Sequence, residues 1–396
     1  MSRFLYRNGT VVLEDRLLPG GEVAVAGDRI EAVHESPGPE AGAEVIDLQG
    51  GYLVPGYIDL HVHGGAGADF MDGTEDAFRT ACRAHARHGT TSLLPTTTVA
   101  RHEQHLAFLD VCGRLKRDGT GGARVLGAHF YGPYFAPEAR GCHPAAALRP
   151  PAPHEYEQYL AHAGCITTAT VAPELPGAEE FVLACRRCGI RCNAGHSYAT
   201  FDQMLDAFAW GVRHVDHLFC AMSDRARLRQ TQTYPMRGGV LEATLYLDGL
   251  TTEVIADGKH LRRELLLLAH RIKGPDRLAL VTDCNRALDM PDGEYFFGPR
   301  DGGEPIVRRD GVGVMPDGQA LASGVVGMDE CVRTFQRLTG VPLPEVVRMA
   351  TLTPARVAGW EREIGSIAAG KRADLLVLDG ELNVRAVYID GRPLVS

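Results

Sequence analysis

Five side chains in this sequence are of types that hold divalent cations, and each lies at or near the end of a short apolar run. His61 and His63 end YIDLHVH (57–63), His196 ends IRCNAGH (190–196), His217 lies in RHVDHLF (213–219) and Asp283 ends LALVTD (278–283). On a strand, residues at i and i+2 face the same side, so His61 and His63 can reach one point. A single histidine at a strand end is more often a hydrogen-bonding group than a ligand. A His-x-His pair, two further histidines and an aspartate from four different runs make a much rarer set. Imidazole and carboxylate together suit one or two divalent metal ions, zinc foremost, with Fe, Co or Mn as alternatives. His214 and Asp216 fall on the opposite strand face from His217 and read as barrel-wall or structural residues.

The elements that must position this set alternate strand and helix. Eight apolar runs read as strands: 57–63, 91–96, 124–130, 166–172, 190–196, 213–219, 252–258 and 278–283. Helical stretches between them imply a parallel sheet. Eight such units in about 300 residues predict a (β/α)8 barrel, whose reactive groups collect at the C-terminal strand ends. One helix is legible in detail. Thr200 and Gln203 form a T-x-x-Q capping box, Phe201, Met204, Leu205 and Phe208 recur at helical spacing as one buried face, and Gly211 ends it. The two chain ends read differently. FLYRNGTVV, GEVAVAGDRIEAVH and EVIDLQGGYLV, and the tail from about 363, alternate apolar and polar residues, and Asn8-Gly9 marks a hairpin. The expected class is therefore α/β: a (β/α)8 TIM-like barrel (53–362) with a small β-sandwich domain built from both chain termini (1–52 plus 363–396).

Composition narrows the function. The 396 residues are 45% apolar and 23% charged, with a formal net charge of -9. Lys and Arg are scattered, which disfavours a broad nucleic-acid face but leaves room for a small anion held by a few local cations. No run reaches the ~18 apolar residues of a membrane span. The start, MSRFLYRNGTVVLEDR, lacks a signal peptide's apolar core, so a cytoplasmic location is expected. Ten cysteines are too dilute for a disulfide scaffold. ACRRCGIRC (Cys185, Cys188, Cys192) has one CxxC but no second, so reduced, buried thiols are expected there rather than a metal knot.

With these residues in place, the chain resembles the amidohydrolase superfamily, and within it the N-acetylglucosamine-6-phosphate deacetylase branch. The resemblance spans nearly the whole chain. VPGYIDLHVHGG (54–65), GTTSLLPTTT (89–98), VAPE (171–174), AGHSYATFDQ (194–203) and HLFCAMS (217–223) occur in the family's order. EVIADGKHL (253–261), LVTD (280–283), RMATLTPARVAG (348–359) and GSIAAGKRADLLVLD (365–379) follow. The resemblance implies hydrolysis of an N-acetyl group by metal-activated water. Asp283 would move the proton from water to the leaving amine. His196 and His217 match the family's metal ligands, and His61 and His63 match a second metal position that some members fill. For the amino sugar, His143 in RGCHP and His260 match two family histidines, and Cys220 and Ala221 sit in the turn that meets phosphate. An Arg from a neighbouring subunit is implied, hence a homodimer. Among Arg225, Arg227, Arg229 and Arg237, the last aligns best.

The pattern breaks at His129-Phe130-Tyr131-Gly132-Pro133. There the family reads His-x-Glu-Gly-Pro, and that Glu is a metal ligand. A phenol has a pKa near 10 against about 4 for a carboxyl. Three readings stay open: Tyr131 lines the substrate site or donates to an oxyanion, Tyr131 ligates as phenolate, or Glu174 reaches inward. Cys220 also replaces the family's Asn. The expected substrate is N-acetylglucosamine-6-phosphate or a close relative, and these two departures together suggest a divergent branch whose sugar is a different epimer or lacks the 6-phosphate. Two rivals remain: an amidohydrolase for a different N-acyl or cyclic amide substrate, disfavoured because strand 4 offers no Lys, and a non-catalytic barrel serving as a binding or scaffold protein.

Overall fold

Short runs buried on nearly every position build a parallel sheet that closes on itself. The computed structural model describes residues 3–36, 38, 42–231 and 234–394. Its barrel strands are β1 (Tyr57–Val62), β2 (Thr90–Pro95), β3 (Ala128–Tyr131), β4 (Ile166–Val171), β5 (Arg191–Ala194), β6 (Val212–Val215), β7 (Thr251–Ile255) and β8 (Leu278–Val281). β1 and β2 pair in parallel, and β3 to β8 form one parallel sheet in chain order. Two bridges join these pieces, Thr96 with His129 and Val62 with Cys284. The Thr97 amide donates to the His129 carbonyl at 3.1 Å and the His63 amide to the Cys284 carbonyl at 2.8 Å. Both seams are thus tied at the C-terminal mouth, where the candidate ligands lie. This is the (β/α)8 barrel expected.

The expected third strand is two pieces. Arg124–Val125 pairs with β2 and Ala128–Tyr131 with β4. Gly127 turns the chain between them at φ 138, and a Cβ there would come within 2.2 Å of Thr167 Oγ1. Strands also end earlier than their apolar runs. His196, His217 and Asp283 lie just beyond β5, β6 and β8, each with left-handed φ (46, 22 and 46). Such strain in non-glycine residues persists where surrounding structure imposes it, and functional sites collect it.

The helix Phe201–Trp210 has the expected capping box at Thr200 and stops at Gly211. Its buried stripe is narrower than expected: Met204 and Ala207 are buried, whereas Leu205 is 41% exposed. A helix on the outside of a barrel touches the strands along one line, and Leu205 falls off it.

Two sheets from the chain ends pack as a sandwich. Arg3–Arg7 pairs with Glu22–Ala26 and Glu44–Asp47. Thr10–Val12 pairs with Leu17–Pro19 and Tyr52–Pro55, and Tyr52–Pro55 pairs in turn with Leu375–Leu378 from the tail. Phe4, Tyr6, Val23, Leu53, Leu375 and Tyr388 share the core between the sheets. The turn at Asn8-Gly9 is not a hairpin, because the strands on either side belong to different sheets. Asn8 takes φ 62 and its carbonyl accepts from the Gly50 amide, so the turn crosses the sandwich instead of folding back. Among the described residues no helix is long and apolar enough to cross a membrane.

Candidate metal centre and cleft

A cleft of about 470 Å³ opens at the C-terminal mouth of the barrel. His63, Tyr131, His143, His196, His217, Cys220, Ala221, His260 and Asp283 line it, so nine of the sequence-predicted residues meet in one space. His61 lies just beneath, fully buried. Arg237 is exposed and does not line the cleft; Arg227 does, with its guanidinium 5.4 Å from the Tyr198 ring centre and a 2.5 Å bond to the Tyr198 hydroxyl.

Among the described residues, two groups of candidate ligand atoms lie within 4.8 Å of one another, His61, His63 and Asp283 at the cleft and His61, Asp216 and Glu253 beneath it. Asp283 Oδ1 lies 3.2 Å from His63 Nε2 and 3.6 Å from His61 Nε2. His61 Nδ1 donates to Glu253 Oε1 at 2.7 Å, which leaves the buried Nε2 without a hydrogen-bond partner. Burial pushes the His61 imidazole down, yet Glu253, Asp283 and Asp216 together pull it up to about 9. The surroundings of this ring therefore favour positive charge. Burial would raise the Asp283 carboxyl, but the His63 bond and the His61, His63 and His217 rings hold it well below the usual carboxylate range. Ser323 Oγ donates to the same Oδ1 at 3.1 Å.

His196 and His217 share the cleft but stand outside both groups. His196 Nδ1 donates to the Ala139 carbonyl at 2.6 Å and the ring stacks on Phe135, so Nε2 is the atom left for a ligand. His217 Nε2 is engaged: the Tyr131 hydroxyl is 2.7 Å away. Burial, with Asp283 and Asp216 nearby, drives the Tyr131 phenol well above its ordinary pKa, so it keeps its proton and donates it to His217. Glu174 does not reach inward. Its carboxylate accepts from Ser197 Oγ at 2.7 Å and from the Tyr198 amide, anchoring the loop after β5.

Below the cleft the barrel interior is polar. His214 Nε2 meets Glu253 Oε2 at 3.1 Å, and Asp216 accepts from Thr170 Oγ1 at 2.7 Å and from Asn193 Nδ2 at 2.8 Å. His214 and Asp216 thus hold the interior together. Glu253 was not read from the sequence as a site residue, although a carboxylate inside the apolar strand TEVI was itself a signal. Ser323 and Phe297 carried no such signal. They arrive from the segment after β8, where Gly293–Phe297, Glu304–Arg309 and Val312–Val314 form an antiparallel sheet, and Phe297 packs 4.8 Å from the His63 ring. The cysteine cluster is unbonded, with Cys185 and Cys192 buried as expected but Cys188 exposed.

Comparison with known proteins agrees with this geometry. The amidohydrolase family model matches residues 52–394. The N-acetylgalactosamine-6-phosphate deacetylase of Escherichia coli O157:H7 is 33% identical over 96% of this chain and 97% of its own. The N-acetylglucosamine-6-phosphate deacetylase of Vibrio furnissii is 32% identical over 90% and 86%. Among solved structures, a point mutant of the Mycobacterium smegmatis N-acetyl-D-glucosamine-6-phosphate deacetylase, in complex with N-acetyl-D-glucosamine-6-phosphate, superposes with a TM-score of 0.91 at 32% identity, covering 100% of both chains. Barrel, histidine-lined mouth and full-length similarity lead to one statement: the chain belongs to the amidohydrolase family.

Proposed function

We propose that this chain hydrolyses the N-acetyl group of an amino sugar 6-phosphate, N-acetylglucosamine-6-phosphate or its galactose epimer. As an amidohydrolase it acts on carbon–nitrogen amide bonds. The observation that carries the reading is the His61–His63–Asp283 group at the base of a cleft sized for a small polar molecule. These residues fit a divalent ion. His61 has an orphaned, buried Nε2 and a carboxylate on its other nitrogen, the arrangement of a metal-bound imidazole. Zinc is the first candidate, with Fe, Co and Mn as alternatives.

When bound there, a divalent ion supplies charge that polarises the amide carbonyl and acidifies water. Asp283, held ionised, takes the proton of the water that attacks the carbonyl carbon. As the C–N bond breaks it returns that proton to nitrogen, and acetate and the free amine leave. So depressed a carboxylate is a weak base on its own, which is why the water must be acidified. His143 Nδ1 accepts from the Val99 amide at 3.2 Å, and burial keeps the ring neutral, so its proton sits on Nε2 and can donate to substrate oxygen. Asp257 holds His260 through Nδ1 at 2.7 Å, placing the ring on the cleft wall for a sugar hydroxyl. At the turn Phe219-Cys220-Ala221, the Cys220 amide bonds back to the His217 carbonyl, and the Ala221 amide remains for the phosphate.

The exposed Tyr234 and Met236 just before Arg237 offer a surface for a second copy, which supports a homodimer with that Arg lent across the interface. Its place of work is the cytoplasm. Acetate release from both N-acetylhexosamine 6-phosphates and their unphosphorylated forms, with zinc supplied, tests the reading. No release from any of them overturns it. One observation favours a different N-acyl substrate: Tyr131 occupies His217, so the mouth differs from one built around a carboxylate at 131.

A further inference from the structure

A second cavity, of about 510 Å³, lies at the opposite, N-terminal end of the barrel, where β5, β6 and β7 begin. Its rim carries Arg186, Arg191 and Arg213. Each is fastened through backbone carbonyls: Arg186 to Trp210 at 2.6 Å, Arg191 to Ala358 at 3.3 Å, and Arg213 to Phe208 at 2.6 Å. Among the described residues none of the three has a carboxylate partner. The one carboxylate in the lining, Asp276, is already paired with Arg348 at 3.2 Å and Arg356 at 2.7 Å. Three arginines without carboxylate partners, Arg213 with its guanidinium 4.1 Å over the Phe208 ring, therefore line one space on a chain whose net charge is negative.

The floor is polar and buried. Asn193 is 3% exposed, gives its amide to Asp216, and leaves its Oδ1 without a partner. A buried acceptor of this kind wants a donor. His214 also forms the floor and joins the cavity to the metal group through Glu253 and His61.

We propose that this lower cavity binds a small phosphomonoester bearing hydroxyl groups. The phosphate dianion meets the arginine rim, whose planar donors suit it and whose charge one carboxylate could not balance. A hydroxyl of the same molecule is directed at Asn193. The site lies at the other end of the barrel from the cleft, and its test needs no turnover, so it stands apart from the deacetylase reading.

Calorimetry of the whole protein with glycerol 3-phosphate and with inorganic phosphate tests it. Glycerol 3-phosphate is expected to bind, and more tightly than inorganic phosphate because only it carries alcohol hydroxyls on a carbon chain that can reach Asn193 while the phosphate stays at the rim. Arg191→Ala with Arg213→Ala is expected to weaken that binding about tenfold or more, and Arg227→Ala, in the upper cleft, to leave it. Because all three arginines also tie backbone carbonyls, the melting temperature of each variant is measured beside its affinity, and Arg186→Glu at the exposed rim is the second variant, expected to weaken binding by a similar factor at an unchanged melting temperature. No heat from native protein, equal affinity for the two probes, or loss with Arg227→Ala but not with the lower-face variants, overturns the proposal.

Discussion

The Tyr131 hydroxyl lies 2.7 Å from His217 Nε2 and, kept protonated by burial, occupies the lone pair that a metal would need. One hydrogen bond thus separates the mouth of the barrel into two halves. His61, His63 and Asp283 converge around an orphaned nitrogen, while the Nε2 of His217 is engaged by the phenol and its Nδ1 has no partner. On the proposed function, the His61 side is the position expected to fill first.

Tyr131→Glu replaces the phenol by a carboxylate beside His196 and His217. Metal content, measured by elemental analysis after zinc loading and desalting, is expected to rise from about one ion per chain to about two. An unchanged content would mean that the phenol is not what holds the second position closed.

Asp283→Asn keeps shape and removes both the charge and the proton acceptor. Acetate release is expected to fall by about a thousandfold or more while far-ultraviolet circular dichroism is unchanged. His63→Ala is expected to lose the metal as well as the activity. Retained zinc in that variant would move the site elsewhere.

Ser323 donates to Asp283 Oδ1 at 3.1 Å from a left-handed backbone, φ 70. Losing a hydrogen bond to a charged group costs about 1.5–3 kcal/mol. Ser323→Ala is therefore expected to lower kcat about tenfold with little change in KM, and Ser323→Thr to recover much of it. Ser323→Gly relieves the backbone and loses the bond, so it is expected to melt no lower than native yet match Ala in rate. A KM effect with unchanged kcat would remove Ser323 from the positioning of Asp283.

Far from the cleft, His88 bridges Asp289 at 2.9 Å and Asp329 at 3.0 Å. Burial lowers the ring, but the two carboxylates raise it to about 9. A raised histidine stabilises the fold most below its unfolded value near 6.5, and that contribution drains away as the pH climbs through about 9. After screening it is worth about 2 kcal/mol. Melting temperatures from pH 6 to pH 9.5 are expected to fall more steeply for native protein than for His88→Gln. Parallel curves would mean the bridge contributes nothing.

Much of the fold was readable because the residues that build it are local. Alternating apolar runs and the Thr200–Gln203 box need only neighbours in sequence to declare themselves. Strand ends were misjudged because apolar character runs on into the mouth. The residues after Ala194 and Val281 are buried and leave the regular ladder for isolated bridges, and the left-handed backbones of His196 and Asp283 are invisible in a string of letters. Convergence of the histidines was legible through their types and strand positions. The hydrogen bond that divides them was not, since it depends on where a phenol and an imidazole meet across β3 and the end of β6. Ser323 was out of reach for a similar reason: only the sheet folded back after β8 brings it to Asp283. Asn8-Gly9 misled because a turn signal states that the chain reverses, not which sheet receives it.

The pairing of Tyr52–Pro55 with Leu375–Leu378 has a consequence for biosynthesis. The first of these strands leaves the ribosome before any barrel strand, and its partner emerges only after the last. Until then one of its edges is bare, with unsatisfied amides and carbonyls open to any extended chain nearby. The barrel's strands pair mostly with sequence neighbours, so it can assemble while the sandwich waits. Translation that stalls near the tail would therefore release a nearly finished barrel carrying one adhesive strand.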